Sequence, residues 1–145
     1  MAKPAVFLDS SVIIASLLST TGGSFYIINV LKKEFVLQTN EYGLNEIQKT
    51  LMNKFANQIS LQSQLYLILG TAKISVLPSP TKQEERRTAK YISEIDAPIL
   101  ASALKHSDYL ITLDNEFFKE EIVSLARKSS LNISKPKEFI EKFRI

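Results

Sequence analysis

The sequence contains no cysteine and has a single histidine, four glycines and five prolines in 145 residues. Without cysteine the chain can form no disulfide framework, no thiolate zinc site and no cysteine nucleophile. The low glycine and proline content argues against a fibrous or disordered protein. The sequence also lacks any uncharged apolar stretch of about 18 residues, the length that a membrane-spanning helix needs.

What the chain does contain is typical of a globular protein, with 45% hydrophobic and 23% charged residues. This length suffices for one hydrophobic core, so we predict a single domain over residues 1–145. The first apolar run, Ala5 to Leu8, is too short for a signal peptide, and we expect a cytoplasmic protein with no membrane contact. The net charge of +3 mildly favours a polyanionic partner.

Short apolar runs alternate with helical segments along the sequence. Strands separated by helices predict a parallel sheet with helices on both faces, and continuous apolar strands fit such burial. We therefore predict an α/β fold with a mainly parallel sheet of four to five strands. The predicted strands are 5–8, 35–38, 73–77, 109–112 and a short fifth at 132–134. The predicted helices are 12–18, 24–33, 41–55, 61–69, 83–92, 96–105, 116–128 and a last one from Pro136.

Four carboxylates from distant parts of the chain are predicted to meet at one edge of this sheet. Asp9 directly follows the first strand, and Asp114 follows the fourth. Asp96 opens the helix that leads into the fourth strand, and Glu46 lies in the first turns of the helix that leaves the second. Ligands of parallel sheets bind outside the carboxyl ends of the strands, which is where all four residues fall.

Carboxylates held close together repel one another, and a divalent cation relieves that repulsion. Oxygen ligands suit hard cations such as Mg²⁺ or Mn²⁺. Such a metal lowers the pKa of a bound water and neutralises charge that builds on a phosphate during hydrolysis. The carboxylates therefore predict phosphodiester hydrolysis without a protein nucleophile, which agrees with the absence of a convincing Ser-His-Asp set.

Three segments resemble the signature segments of PIN domains: FLDSSVIIASLL at 7–18, NEYGLNEIQKTLMNKF at 40–55 and DAPILASALKHSDYLITLDNEFF at 96–118. The third is the most specific, because an Asp opens an Ala/Leu-rich helix that precedes a hydrophobic strand and Thr-x-Asp. The resemblance covers the whole chain in order. It is closest to small stand-alone PIN proteins that act as toxins of toxin–antitoxin pairs.

This resemblance implies an α/β/α sandwich, Mg²⁺- or Mn²⁺-dependent cleavage of single-stranded RNA, an antitoxin partner and a homodimer. Residue by residue, it assigns catalysis and metal binding to Asp9, Glu46, Asp96 and Asp114. Thr112 matches a polar residue that supports the site, and we add Ser10 beside Asp9 as a second supporting residue.

Some positions depart from the family pattern or leave their role open. Asn40 stands where close relatives usually have Ser or Thr, and Leu113 stands where many have a small or polar residue. Asn115 and Glu116 follow Asp114 at acidic-rich positions, so whether they join the site stays open.

The same carboxylates also have ordinary structural interpretations. Asp9, Asp96 and Asp114 each precede a helix, where Asp is a favoured N-cap. Glu46 is compatible with a solvated helix position, and Glu41 is a rival for its role.

Basic residues are candidates for RNA contacts. Lys49, Lys54 and Lys105 lie in helices predicted to be near the carboxylates, so we assign them to RNA binding. Lys82, Arg86, Arg87 and Lys90 interleave with Gln83, Glu84 and Glu85, which is more typical of a solvated helix.

Other functions remain as alternatives. A phosphoaspartyl hydrolase would need a second Asp two residues after Asp9, where Ser11 stands. A PIN-like module that binds RNA or protein without cleavage is the remaining alternative.

Overall fold

A computed structural model describes residues 2–143 and contains alternating strands and helices. The five strands are β1 (Ala5–Leu8), β2 (Val36–Asn40), β3 (Ser75–Leu77), β4 (Tyr109–Ile111) and β5 (Asn132–Ser134). The α-helices are α1 (Ser10–Leu18), α2 (Gly23–Asn29), α3 (Glu41–Lys54), α4 (Ser60–Thr71), α5 (Lys82–Thr88), α6 (Ala97–His106), α7 (Glu120–Lys128) and α8 (Pro136–Phe143). Short 3-10 turns occupy Leu31–Lys33 and Asn115–Phe118.

All five strands pair in parallel, in the order β3-β2-β1-β4-β5. The chain runs outward from β1 to β3, and β4 then returns to the other side of β1. The direction of winding therefore reverses between β1 and β4, and parallel sheets bind ligands at such a point. The predicted α/β fold is confirmed, with a sheet that is wholly parallel.

The core consists of two layers because side chains alternate along each strand. In β1, Val6 and Leu8 face a layer that includes side chains of α1, α2, α3, α4 and α8. Phe7 faces the opposite layer, which α6 and α7 cover. All three side chains are fully buried, and burial of each stabilises the fold by about 1.5–3 kcal/mol. These layers form the predicted three-layer sandwich.

Three predicted helices end differently in the structure. The helix predicted at 24–33 stops at Asn29, and a separate 3-10 turn follows at Leu31–Lys33. The helix predicted at 83–92 ends at Thr88, whose hydroxyl donates to the Ala97 carbonyl at 2.9 Å. The helix predicted at 116–128 is divided, because Lys119 has an extended backbone between the 3-10 turn and α7. The end of α5 at Thr88 leaves a loop of bends and turns between α5 and α6, directly before Asp96.

Within residues 2–143, no single helix is long and apolar enough to span a membrane. Taken together, α1 and α2 have the length and composition of a membrane span, but a bend of 96° separates them.

Candidate metal centre

The crevice between β1 and β4 brings the first and last predicted site residues together. Leu8 pairs with Ile111 at the ends of the two strands, and the Asp9 amide donates to the Ile111 carbonyl at 3.0 Å. The pairing therefore continues one residue beyond β1. As a result, Asp9 lies beside Thr112 at the carboxyl edge of the sheet, with a residue exposure of only 5%.

Asp9 is held by three hydrogen bonds. Thr112 Oγ1 donates to Asp9 Oδ2 at 2.7 Å, and Ser11 Oγ donates to the same oxygen at 3.0 Å. The Ser10 amide donates to Asp9 Oδ1 at 2.8 Å. Burial raises the pKa of Asp9, these three bonds oppose the shift, and the charge of Asp114 adds to it. The carboxylate is therefore fixed in one orientation at the bottom of the crevice.

Thr112 and Ser11 link Asp9 to the loop that carries Asp114. The Asp114 amide donates to Thr112 Oγ1 at 3.0 Å, and the Leu113 amide donates to Ser11 Oγ at 3.3 Å. Thr112 thus has the geometry of a supporting residue. Sequence analysis assigned a supporting role to Ser10 and none to Ser11. In the structure the Ser10 hydroxyl is 3.5 Å from Asp9 Oδ1, and it also lowers the pKa of Glu46 through a side-chain hydrogen bond. The available signal was the short spacing, since a hydroxyl near an Asp readily bonds back to it.

Asp96 lies at the start of α6 but does not cap the helix with its side chain. Its backbone is already helical, and its Oδ2 instead accepts from Ser93 Oγ at 3.2 Å. Burial raises the pKa of Asp96 to about 6, and the charge of Asp114 is the next cause. The N-cap interpretation is therefore wrong for Asp96. It holds for Asp9, which accepts from the Ser10 amide, and for Asp114, which accepts from the Glu116 amide at 3.0 Å.

Glu46 lies in the second turn of α3 and is half-buried. The pKa of Glu46 is raised to about 7. Burial is the largest cause, and the charges of Asp9 and Asp96 raise it further, while Ser10 and Lys49 oppose the shift. Such coupling requires that the carboxylates be close in space. Glu46 therefore lies near the crevice that holds Asp9 and Asp96.

The four side chains provide only oxygen donors, and neighbouring carboxylate charges raise the pKa values of Asp9, Glu46 and Asp96, which fits a hard divalent cation. The arrangement of these four side chains is nonetheless not that of a complete metal site. In the part of the chain that the structure describes, no three carboxylates are close enough to enclose one ion together. The donor chemistry fits a metal, whereas binding of an ion by three carboxylates would require the side chains to rearrange.

Asn115 and Glu116 are engaged outside the crevice. Asn115 Oδ1 accepts from Lys135 Nζ at 2.8 Å, and Glu116 forms an ion pair with Lys119 at 2.6 Å. Both side chains are on exposed residues. Each would have to give up its partner to join the carboxylates.

The three lysines assigned to RNA binding lie at different distances from the carboxylates. Lys49 acts on the pKa of Glu46 and is therefore near the crevice. Lys54 is in the last turn of α3. Lys105 is in the last turn of α6, about 13 Å along the helix from Asp96, and pairs with Glu84 at 3.1 Å. The expectation that Lys105 lies near the carboxylates is thus wrong, because α6 carries it away from that edge.

Asn40 connects the helix of Glu46 to the helix of Asp96. It is fully buried, and its Oδ1 caps α3 by accepting from the Gly43 amide at 2.8 Å. Its Nδ2 donates to the Pro98 carbonyl at 3.2 Å and to Ser102 Oγ at 2.7 Å. A Ser at this position would keep the cap but would not reach α6 with a second polar group.

We expect Asn40→Ser to lower the free energy of unfolding by about 1–3 kcal/mol, because two buried hydrogen bonds are lost. Urea unfolding measures this change. Asn53→Ser, at an exposed position of the same helix, is the matched control and should change stability by less than about 0.5 kcal/mol. Equal effects of the two substitutions would contradict the role of Asn40.

The raised carboxylate pKa values predict that the metal-free protein loses stability as pH rises. Folding raises the pKa of Glu46 from 4.5 to about 7 and that of Asp96 from 3.8 to about 6. Between about pH 4 and 7 the folded state therefore holds protons that the unfolded chain has released, so the unfolding free energy falls. We expect a fall of about 1 kcal/mol after solvent screening, or roughly 3 °C in melting temperature.

Melting temperatures at pH 5 and pH 8 in a chelator measure this effect, with Glu46→Gln as the variant that should flatten the profile. A wild-type melting temperature that rises over the same range would show that folding does not raise the pKa of Glu46 and Asp96.

Comparison with solved structures identifies the fold. The chain is similar to PAE2754 from Pyrobaculum aerophilum, with a TM-score of 0.67 and 14% identity over 97% of each chain. It is also similar to a chain of VapBC2 from Rickettsia felis, solved bound to a DNA fragment from its promoter, with a TM-score of 0.67, 16% identity and coverage of 90% of this chain and 98% of that one. The fold is PIN-like. No protein-family model and no curated protein matches the chain.

Proposed function

We propose that this PIN-like protein is an endoribonuclease that cleaves single-stranded RNA with Mg²⁺ or Mn²⁺. The observation that carries the proposal is the set of four electrostatically coupled carboxylates where the winding of the sheet reverses. Reactive groups of open parallel sheets gather at that place. The oxygen-only donor set favours a hard divalent cation.

Asp9, Glu46, Asp96 and Asp114 would hold the metal. When bound, the metal would lower the pKa of water and stabilise negative charge on the phosphate. The residues around the carboxylates would keep them oriented. Thr112 and Ser11 hold Asp9, and Ser93 holds Asp96. Such supporting contacts typically change metal affinity or activity 10–100-fold, by the general rule for groups that orient ligands.

We further propose that the protein is the toxin of a toxin–antitoxin pair and forms a homodimer. The PIN-like fold, which it shares with the toxin–antitoxin complex VapBC2, supports an antitoxin partner. A crevice lined by carboxylates attracts Arg or Lys side chains. An antitoxin that inserted such a side chain would compete with the metal, and its hold on the exposed part of the crevice would weaken as salt rises.

A PIN-like module that binds RNA or protein without cleavage is the second candidate. It is favoured by one observation: among residues 2–143, no group of three acidic or histidine side chains is arranged to hold a metal ion. The two candidates differ in whether divalent metal produces cleavage or only affects binding.

A cleavage assay with labelled single-stranded RNA tests the proposal. We expect fragments in millimolar Mn²⁺ or Mg²⁺ and none in excess EDTA, because the carboxylates need a cation to act on a phosphate. An RNA hairpin with the same bases in its stem is the control substrate and should be cut more slowly. Persistent cleavage in EDTA would contradict metal dependence, and binding without cleavage in either metal would favour the second candidate.

A further inference from the structure

A groove of about 380 Å³ lies between α5 and the starts of α3 and α6. One face of α5 provides Lys82, Glu85, Arg86 and Ala89, and the opposite side is formed by Tyr42, Glu94, Ala97 and Pro98. Its volume is at the small end of ligand sites, which run from about 300 to 1,000 Å³. The groove therefore has room for one small ligand, and it is too small for a folded domain.

The walls of the groove are tied to each other. Thr88 Oγ1 at the end of α5 donates to the Ala97 carbonyl at 2.9 Å. Toward the other end, Glu84 forms an ion pair with Lys105 at 3.1 Å. Thr81 and Glu84 also form a capping box that fixes the first turn of α5. The face of α5 is therefore pre-formed opposite α3 and α6.

The groove adjoins the proposed metal centre. Tyr42 precedes Glu46 by one helical turn, so both side chains lie on the same face of α3. Ala97 and Pro98 directly follow Asp96. Burial raises the pKa of Tyr42, and the charges of Glu46, Asp96 and Glu85 raise it further. Tyr42 thus stands between the carboxylates and the groove.

The lining combines three kinds of contact that a nucleotide needs. Tyr42 offers an aromatic ring for base stacking. Lys82 and Arg86, at i and i+4 on α5, offer cations for phosphate, and neither forms an ion pair within residues 2–143. Glu85 and Glu94 offer carboxylates, which accept from the exocyclic amino group of a base, as acidic side chains do for cytosine.

We propose that this groove is a subsite for one unpaired nucleotide next to the cleaved phosphate, with its base on Tyr42, its phosphate at Lys82 and Arg86, and a preference for cytosine over uracil. The subsite rests on the proposed function, because RNA reaches the groove from the metal centre. The charge pattern of α5, which in sequence is typical of a solvated helix, becomes two cations and an acid on one face of the groove.

Fluorescence anisotropy with short labelled oligocytidylate and oligouridylate RNA, in EDTA, tests the subsite without cleavage. We expect wild-type protein to bind oligocytidylate more tightly. Tyr42→Leu should weaken binding about tenfold, as expected for loss of one stacked base. Tyr42→Phe keeps the aromatic ring and should bind RNA as tightly as the wild-type protein does. Arg86→Ala should also weaken binding, and Glu85→Ala combined with Glu94→Ala should remove the preference for cytosine.

Arg87→Ala is the matched control, because Arg87 carries the same charge on the same helix but does not line the groove. It should affect binding by less than about twofold, the size of a general charge effect in this assay. The proposal is overturned if wild-type protein binds neither RNA, if Tyr42→Leu binds as wild type does, or if Arg87→Ala matches Arg86→Ala. Melting curves confirm that each variant is folded.

Cleavage assays on the same proteins separate the subsite from the proposed function. If the variants differ in binding as expected but no protein cleaves RNA, the subsite is supported and the nuclease function fails. If wild-type protein cleaves RNA and Tyr42→Leu cleaves with the same KM and base preference, the nuclease function is supported and the subsite is overturned.

Discussion

Asp96→Asn is expected to lower kcat for RNA cleavage by more than about a hundredfold while the protein stays folded. Loss of a direct ligand should exceed the 10–100-fold cost that is typical for residues that merely orient ligands. The substitution removes one charge from the proposed metal centre. It removes little else, because the Asp96 side chain does not cap α6 and Ser93 Oγ donates to Oδ2, a bond that an amide oxygen can also accept.

Asp96 is a sharper probe than Asp9 for this test. Asp9 accepts hydrogen bonds on both oxygens, from Ser10, Ser11 and Thr112. An Asn at position 9 would place an amide donor against one of those donors, so loss of activity there would mix structural and catalytic effects.

Glu138→Gln, at an exposed position of α8, is the control that removes one negative charge outside the set of four carboxylates. It should cleave RNA at the wild-type rate. The assignment of Asp96 would be wrong if Asp96→Asn kept wild-type kcat in saturating Mg²⁺. Thermal melting in Mn²⁺ gives an independent measurement, since a ligand that binds only the folded state raises its stability, and Asp96→Asn should reduce that rise.

The fold was accessible from the sequence because β1 and β4, which pair at the middle of the sheet, are short apolar runs. In β1 the side chains of Val6, Phe7 and Leu8 are buried on alternate faces of the sheet. A strand that is buried on both faces predicts helices on both sides of the sheet, independently of the loop sequences. The order of strands and helices then places Asp9 and Asp114 at the same edge, since parallel strands share their carboxyl ends.

The details of the candidate site were not accessible in the same way. They depend on contacts between residues far apart in the chain, such as Asn40 with Pro98 and Ser102. The distance of Lys105 from the carboxylates is a different case, because it could have been predicted. The helix predicted at 96–105 starts at the carboxyl edge with Asp96 and ends with Lys105, so its length alone separates the two residues.

Gly43 illustrates how close packing positions Glu46. A Cβ atom at this position would lie 2.8 Å from Thr39 Oγ1 and 3.4 Å from Ile99 Cδ1. The absence of a side chain therefore lets the first turn of α3 approach both β2 and α6. Sequence alone shows a glycine inside a helix, where it costs about 1 kcal/mol relative to alanine, without showing which neighbour requires it.

Expression of the wild-type protein without an antitoxin is expected to arrest bacterial growth, and Asp114→Asn is expected to relieve the arrest. The proposed function requires RNA cleavage in the cell, and that cleavage depends on the charge of the metal centre. Asp114→Asn suits this test because the Asp114 amide still donates to Thr112 Oγ1, and the remaining side-chain oxygen can still accept from the Glu116 amide. The loop geometry is thereby kept while one carboxylate charge is lost.

Growth curves after induction measure the effect, with soluble protein quantified in each strain. Glu138→Gln should arrest growth as the wild-type protein does, which separates loss of the metal centre from a general change in charge. Unimpaired growth of both the wild-type and Asp114→Asn strains at matched soluble expression would contradict the toxin role. Equal arrest by both would instead show that toxicity arises without the carboxylates, for example through binding alone. Because purified protein can be assayed for RNA cleavage in parallel, a toxin role that fails in cells would leave the nuclease activity to be judged by its metal dependence.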